Sequence, residues 1–248
     1  MKLQQMALPF DPDPRFEAAD FIDAPSNAAA RVWLTRPAAW PLRRLALWGP
    51  EGCGKTHLLH VWATAHGAEI LRGGDLAADL LPDLPNGPRV IDEADRAPEL
   101  ALLRLLNTAA EAGQTVLLAA RTPPGRWPVT LPDLASRLRA ITAAEIAPAE
   151  DDLLRLLLQR LLVDRQIAVA EPVQDYLLRR LPRTPAALRS VVARLDRAAL
   201  ERGSKVTRPL ASAALAALDL LPDDDMRDDD MRDDDSRDAL SSGAGVGV

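Results

Sequence analysis

Residues Gly49-Pro50-Glu51-Gly52-Cys53-Gly54-Lys55-Thr56 constrain this chain more than any other stretch. They follow the apolar run Leu45-Ala46-Leu47-Trp48, which predicts a buried strand, and precede Thr56–Ala65, whose spacing predicts a helix. A glycine-rich turn between strand and helix can aim several backbone N–H groups at one point, with the positive end of the helix dipole behind them. Such a turn holds an anion. In this spacing the glycines admit close backbone approach to phosphate oxygens, the lysine reaches the β- and γ-phosphates, and the threonine hydroxyl ligates Mg²⁺. Gly49, Gly52, Gly54, Lys55 and Thr56 are therefore candidate residues for binding ATP or ADP with magnesium.

A triphosphate site also needs a carboxylate at the end of a neighbouring strand. Asp92-Glu93 follows the short apolar pair Val90-Ile91 and fits. Asp92 is the candidate metal partner, and Glu93 the candidate group that orients or deprotonates an attacking water. The competing reading is an acidic surface turn, and Arg89 at the start of so short a run counts against a strand. An arginine that stabilises a transferring phosphoryl group is also expected. Leu131-Pro132-Asp133-Leu134-Ala135-Ser136-Arg137-Leu138 offers Arg137, with Arg139 beyond it; on pattern alone either is an ordinary solvated helix arginine.

The chain alternates strand-length apolar runs with helical stretches up to about Ala147. Strands are expected near 45–48, 69–71, 89–92 and 115–120, with a helix over Pro98–Glu111. Alternation of this kind predicts an α/β fold, a parallel sheet covered by helices on both faces. After Pro148 the pattern becomes all-helical, with helices expected at about 150–164, 172–181, 185–202 and 208–219, which predicts a small helical lid. The expected division is a leader over 1–14, an α/β nucleotide-binding domain over 15–147, the lid over 148–220, and an acidic tail over 221–248 that cannot bury a core.

Charge and cysteine content narrow the partners. The formal charge is −6, but Asp223 to Asp238 holds ten Asp and three Arg, a balance of −7 that leaves the rest of the chain at +1. A nearly neutral body lacks the basic excess of a main nucleic-acid surface. Cys53 is the single cysteine and sits inside the glycine-rich loop, so no disulfide framework is expected and a reducing cytoplasm fits. It is expected to act as a small loop filler. Neither a secretory signal nor an apolar run of membrane-spanning length is visible.

Taken together these stretches resemble the Hda/DnaA-related AAA+ family of replication proteins. The likeness rests on Ala24-Pro25-Ser26-Asn27-Ala28-Ala29-Ala30, on the phosphate loop continuing as Thr56-His57-Leu58-Leu59, on Arg121-Thr122-Pro123-Pro124 through Leu138, and on Leu195-Asp196-Arg197-Ala198. It spans roughly residues 5–218. The fold implied is an AAA+ P-loop NTPase with a helical lid. By position the resemblance implies that Asn27 lies near the adenine, that Lys55, Thr56 and Asp92 meet the phosphates and metal, and that Arg137 is an arginine finger. Two positions depart from the family pattern. Arg121 stands where relatives carry a polar, often acidic, sensor. In the lid, matching through Leu195-Asp196 puts Ala186 at the sensor-arginine place and leaves Arg183 and Arg189 as flanking candidates, of which Arg183 is preferred.

The resemblance also implies partners. Gln5-Met6-Ala7-Leu8-Pro9-Phe10 is similar to the short peptide by which such proteins bind the DNA polymerase III sliding clamp. Leu8 and Phe10 would fill an apolar pocket, Pro9 would stiffen the segment and Gln5 would anchor it; the bland alternative is a leader docked on its own domain. The implied activity is hydrolysis of ATP bound to a DnaA-type initiator, promoted together with the DNA-loaded clamp, as negative regulation of initiation. No helix-turn-helix domain is expected after residue 221, hence no sequence-specific DNA binding; a homo-oligomer is admitted. The runner-up is a self-hydrolysing ATPase of helicase-loader or remodelling type. A third reading is a pure adaptor whose nucleotide only stabilises the fold.

Overall fold

A computed structural model of the chain describes residues 21–77, 86–202 and 205–218. The leader with its clamp-like segment, and the acidic repeat, lie outside them. Five parallel strands form one sheet: β1 Arg44–Trp48, β2 Glu69–Arg72, β3 Arg89–Asp92, β4 Val116–Ala120 and β5 Thr142–Glu145, in the order β2-β3-β4-β1-β5. Alternate residues of each strand face opposite sides. Leu45, Leu47, Val90, Leu117 and Ala119 pack beneath α1 (Ala28–Leu34) and α2 (Lys55–His66). Ala46, Ile91, Val116 and Leu118 pack beneath α3 (Glu99–Glu111) and α4 (Pro132–Arg139). The result is three layers with a core on each side of the sheet.

Arg89 does not break β3. Its side chain is buried, donates to Gln114 Oε1 at 2.5 Å and lies 4.0 Å from the Glu69 carboxylate, the charge that faces it. The strand β5 carries no sequence signal strong enough to be expected. Of Thr142-Ala143-Ala144-Glu145 only Ala144 is buried, as suits an edge strand, and pairing with β1 supplies its order.

Four helices make the lid: α5 Asp151–Asp164, α6 Glu171–Arg180, α7 Pro185–Arg202 and α8 Arg208–Ala216. Leu154, Leu158 and Leu162 form the buried stripe of α5 and meet Leu188, Val191, Val192 and Leu195 of α7. Each fully buried leucine contributes roughly 1.5–3 kcal/mol, so this stripe holds α5 although Leu156 and Val163 remain exposed. Asp151 and Asp152 occupy the first turn of α5, where the dipole favours them. The residue before them, Glu150, accepts the Ser26 N–H at 2.5 Å, and Ala147 N–H donates to Ser26 O at 2.9 Å. The segment before α1 is thereby fastened to the hinge between the layers and the lid.

Candidate functional site

Parallel register assembles the site at one edge of the sheet. Trp48 pairs with Ala120, so Gly49 and Arg121 leave the sheet side by side; Arg72 pairs with Asp92, so Arg72 stands next to the carboxylates that end β3. In open α/β sheets this C-terminal edge, where strand order reverses, is where ligands bind.

Gly49 to Gly54 joins β1 to α2 as the sequence predicts. A side chain at Gly49 would put its Cβ 2.1 Å from Ile146 O, so only glycine lets the loop leave β1 beside the end of β5. Lys55 Nζ donates to Gly49 O at 2.8 Å and to Pro50 O at 2.7 Å, which folds its ammonium over the loop. Thr56 Oγ1 donates to Asp92 Oδ2 at 2.8 Å, and Asp92 Oδ1 accepts the Glu93 N–H at 2.9 Å. One hydroxyl and one carboxylate, both hard oxygen donors, suit a magnesium ion that takes its other ligands from phosphate and water. Among the described residues no group of three or more His, Cys, Asp or Glu is placed to hold a metal ion. Burial pushes the Cys53 thiol up in pKa, so it is unactivated, in keeping with a filler role.

Glu93 is placed beside Asp92 but is not free. Its backbone takes a left-handed conformation (φ 50°), and its carboxylate is bracketed by Arg72 Nε at 2.8 Å and an Arg96 guanidinium nitrogen at 3.0 Å. The Arg72 hydrogen bond, helped by the charges of Arg72, Arg96 and Arg121, holds its carboxyl below the usual carboxylate range. A carboxylate so paired is a weaker base and points at guanidinium rather than at water. The turn behind β2 supports this arrangement, since a Cβ on Gly73 would meet Glu93 O at 2.2 Å. Neither Arg72 nor Gly73 stands out in the sequence, because their importance comes from strand pairing.

Asn27 is buried, and its amide donates to Ile22 O at 3.0 Å and accepts the Ala24 N–H at 3.2 Å, so it shapes the 22–27 segment. Phe21, unremarked in the sequence, lies edge-on to His57 with ring centroids 5.4 Å apart, close above the start of α2.

The lid reaches the phosphate loop at Gly52, where an added Cβ would lie 3.0 Å from the Thr184 Cβ. The neighbouring Arg183, preferred from sequence as the lid sensor, is exposed and committed to Asp151 at 2.9 Å. Arg189, on the first turns of α7, has no hydrogen-bond or ion-pair partner among the described residues, and the protein packed around it lowers its guanidinium's pKa although solvent still reaches it.

Arg137 sits at the opposite edge. Its helix leads through Ala140 and Ile141 into Thr142, which pairs with Leu45 near the start of β1, and its charge lowers the pKa of Arg44, the first residue of that strand, after burial has done most of the lowering. The phosphate loop leaves the other end of β1, about 16 Å along a strand that rises about 3.3 Å per residue. Arg137 is half-buried and paired with Asp133 at 3.1 Å. The turn before α4 is pinned by Glu99, which accepts the Thr130 and Leu131 N–H groups at 2.9 and 2.8 Å.

Residues 151–215 match the family described as Hda, lid domain. Over those residues the chain is similar to the lid of Hda. Its fold is similar to domain III of the Thermotoga maritima replication initiation protein DnaA (TM-score 0.71, 17% identity, 85% of this chain and 99% of that one). It is also similar to a replication initiator DnaA bound to AMPPCP and single-stranded DNA (TM-score 0.60, 17% identity, 73% of this chain and 64% of that one). The Thermotoga maritima RuvB Holliday junction branch migration motor shares the fold as well (TM-score 0.59, 20% identity, 78% of this chain and 67% of that one). The α/β layers carry the phosphate loop, and the lid meets it where Thr184 faces Gly52. Among its described residues no helix is long and apolar enough to cross a membrane.

Proposed function

We propose that this AAA+ protein is a nucleotide-holding regulator of chromosomal replication initiation, acting in the bacterial cytoplasm beside the replisome. It binds ATP or ADP with magnesium through Gly49–Thr56 and Asp92. It engages the DNA-loaded sliding clamp through Gln5, Leu8, Pro9 and Phe10, and presents Arg137 to ATP held by a DnaA-type initiator. Hydrolysis of that ATP then switches the initiator off. The observation that supports this reading is the place of Arg137, near the edge of the sheet opposite the chain's own phosphate loop and so away from its own nucleotide. The deciding measurement is hydrolysis of initiator-bound ATP with this protein, with and without loaded clamp. No stimulation under either condition sinks the proposal.

The runner-up, a self-hydrolysing ATPase, draws on the complete Thr56–Asp92–Glu93 set. The two arginines on Glu93 weigh against it. General-base catalysis is worth about 10²–10⁴ in rate, and a paired, depressed carboxylate forfeits much of that. The double substitution Arg72→Ala with Arg96→Ala is expected to raise intrinsic ATP turnover about 10-fold, as part of that base catalysis is recovered. Adding Glu93→Gln should abolish the gain. High turnover in the unaltered protein, abolished by Glu93→Gln alone, favours the runner-up.

Arg189 acts as the lid arginine toward the nucleotide. Arg189→Ala is expected to weaken nucleotide binding about 10-fold, the scale of one charge-assisted hydrogen bond, whereas Arg183→Ala should change it less than about 2-fold because an exposed ion pair contributes little. Calorimetric titration of both variants decides between them.

A further inference from the structure

The nearly neutral body is made of two unlike parts. Residues 151–216 hold twelve Lys and Arg against seven Asp and Glu, a balance of +5, whereas residues 1–150 hold fifteen against eighteen, a balance of −3. The positive excess is therefore the lid's alone, and the acidic repeat, at −7, begins only seven residues after Ala216. Within the lid, charge gathers where the end of α6 meets the start of α8. The Arg180 guanidinium lies 4.1 Å from the centre of the Tyr176 ring and that of Arg208 lies 5.0 Å from it, so two like charges share one ring. Arg179 beside them is exposed, and neither it nor Arg208 has an ion-pair partner among the described residues. Asp175, one turn back on α6, is taken by Arg155 at 2.6 Å. Arg179 and Arg180 suit the C-terminal end of α6, but Arg208 opens α8, where the helix dipole disfavours a cation. The tyrosine offsets part of that cost, and an anion would offset the rest.

We infer that the acidic repeat of the same chain docks on this arginine face of the lid, its first triplet, Asp223 to Asp225, set against Arg179, Arg180 and Arg208. The length of chain allows it. Leu218, the last described residue, packs against the lid core, and ten residues of helical rise, about 15 Å, separate it from Arg208. Five residues of extended chain reach about 17 Å, so Asp223 can turn back along α8 to its first residue. The later triplets follow at intervals of five residues and extend the contact over the rest of the basic lid. Each exposed ion pair is weak, but several on one short tether act at an effective concentration on the order of millimolar. That tether is why the occupant is the chain's own tail. Docked there, the repeat neutralises the lid and closes it to other polyanions, a DNA backbone included. The inference does not depend on the proposed nucleotide site.

The test is fluorescence anisotropy of a labelled peptide with the sequence of residues 222–238, titrated at low salt with the full chain and its variants. The tethered tail holds the face in the unaltered protein. The peptide should therefore bind it at least about 10-fold more weakly than a full chain whose ten Asp at 223–238 are replaced by Asn. In that tail-neutral chain, Arg179→Gln, Arg180→Gln and Arg208→Gln together should cost about 10-fold, the scale of several surface ion pairs. Salt at about 1 M should abolish the binding, since it screens charges beyond about 3 Å. Arg104→Gln, on α3, should leave it unchanged. Where the triple variant melts lower than its parent, Arg208→Gln alone, which keeps Arg180 on Tyr176, should still cost about 2–5-fold. Equal binding to the unaltered and tail-neutral chains overturns the docking, as does no binding to either. A loss with Arg104→Gln as large as with the arginine triple also overturns it. So does a duplex oligonucleotide that binds the unaltered protein through the three arginines, because the face is then open to DNA.

Discussion

Arg137→Ala is expected to cost about 10³–10⁵ in the stimulated hydrolysis of initiator-bound ATP, the range over which an arginine finger acts in trans. The loss follows from where charge develops: the equatorial oxygens of a transferring phosphoryl group gain negative charge, and a guanidinium supplied across an interface stabilises that charge without first having to leave water. For such a task the Arg137 side chain would have to be held in place. It stands on the last turns of α4, whose entry is pinned by Glu99, and Leu134 and Leu138 on the same helix are buried in the core under the sheet. Asp133, four residues back on the same helix, holds the guanidinium by an exposed ion pair that a phosphate can replace. Because Arg137 is roughly 16 Å along β1 from its own phosphate loop, the variant should keep its affinity for ATP and ADP. Clamp binding should also survive, since the leader is remote in sequence. Stimulation at the level of the unaltered protein removes Arg137 from the mechanism. The companion Arg139→Ala should stimulate nearly normally; a larger loss there than in Arg137→Ala transfers the role to Arg139.

What the sequence disclosed is what local spacing controls. The loop Gly49–Thr56 was legible because a strand, a glycine-rich turn and a helix N-terminus are contiguous, and the chemistry of phosphate binding needs that order. The lid was legible because leucines at helical spacing mark its buried stripes, and the matched residues 151–215 fall within the expected span. What stayed hidden depends on register between distant segments. Arg72 faces Asp92 only because β2 pairs with β3, and Glu99 meets Thr130 across 31 residues. The edge strand β5 buries one small side chain and leaves no periodic trace. Arg89, which argued against β3, is admitted to the interior by Gln114, a partner 25 residues away. Arg183 likewise pairs with Asp151, 32 residues back, a contact that no local pattern announces.

Lys55→Ala is expected to weaken binding of ATP by about 100-fold or more, and of ADP, which has no γ-phosphate, by about 10-fold, and so to decide whether the nucleotide is an active part of the mechanism. Hydrogen bonds to charged groups contribute about 1.5–3 kcal/mol each, and Lys55 would make two with the β- and γ-phosphates. The gain is a difference, because in the structure its ammonium already holds Gly49 O and Pro50 O, and those bonds are surrendered when phosphate arrives. Neutral carbonyl acceptors are exchanged for charged ones, which leaves a net loss near the lower end of that range for two bonds. The same substitution removes a tie across the loop, so the glycines at 49, 52 and 54 lose part of what orders them. Lys55→Met keeps most of the apolar stem over the loop and should show the same loss of affinity with less change in melting temperature. Both are read by titration with magnesium–ADP and by stimulated hydrolysis at loaded clamp. If affinity falls while stimulation persists in a folded protein, the nucleotide is a structural ligand and the chain is an adaptor that merely brings Arg137 to its target. If both fall together, the bound nucleotide sets the face on which Arg137 is presented. The fastening of Thr184 against Gly52 gives the physical route, since a loop wrapped on phosphate fixes the lid above it.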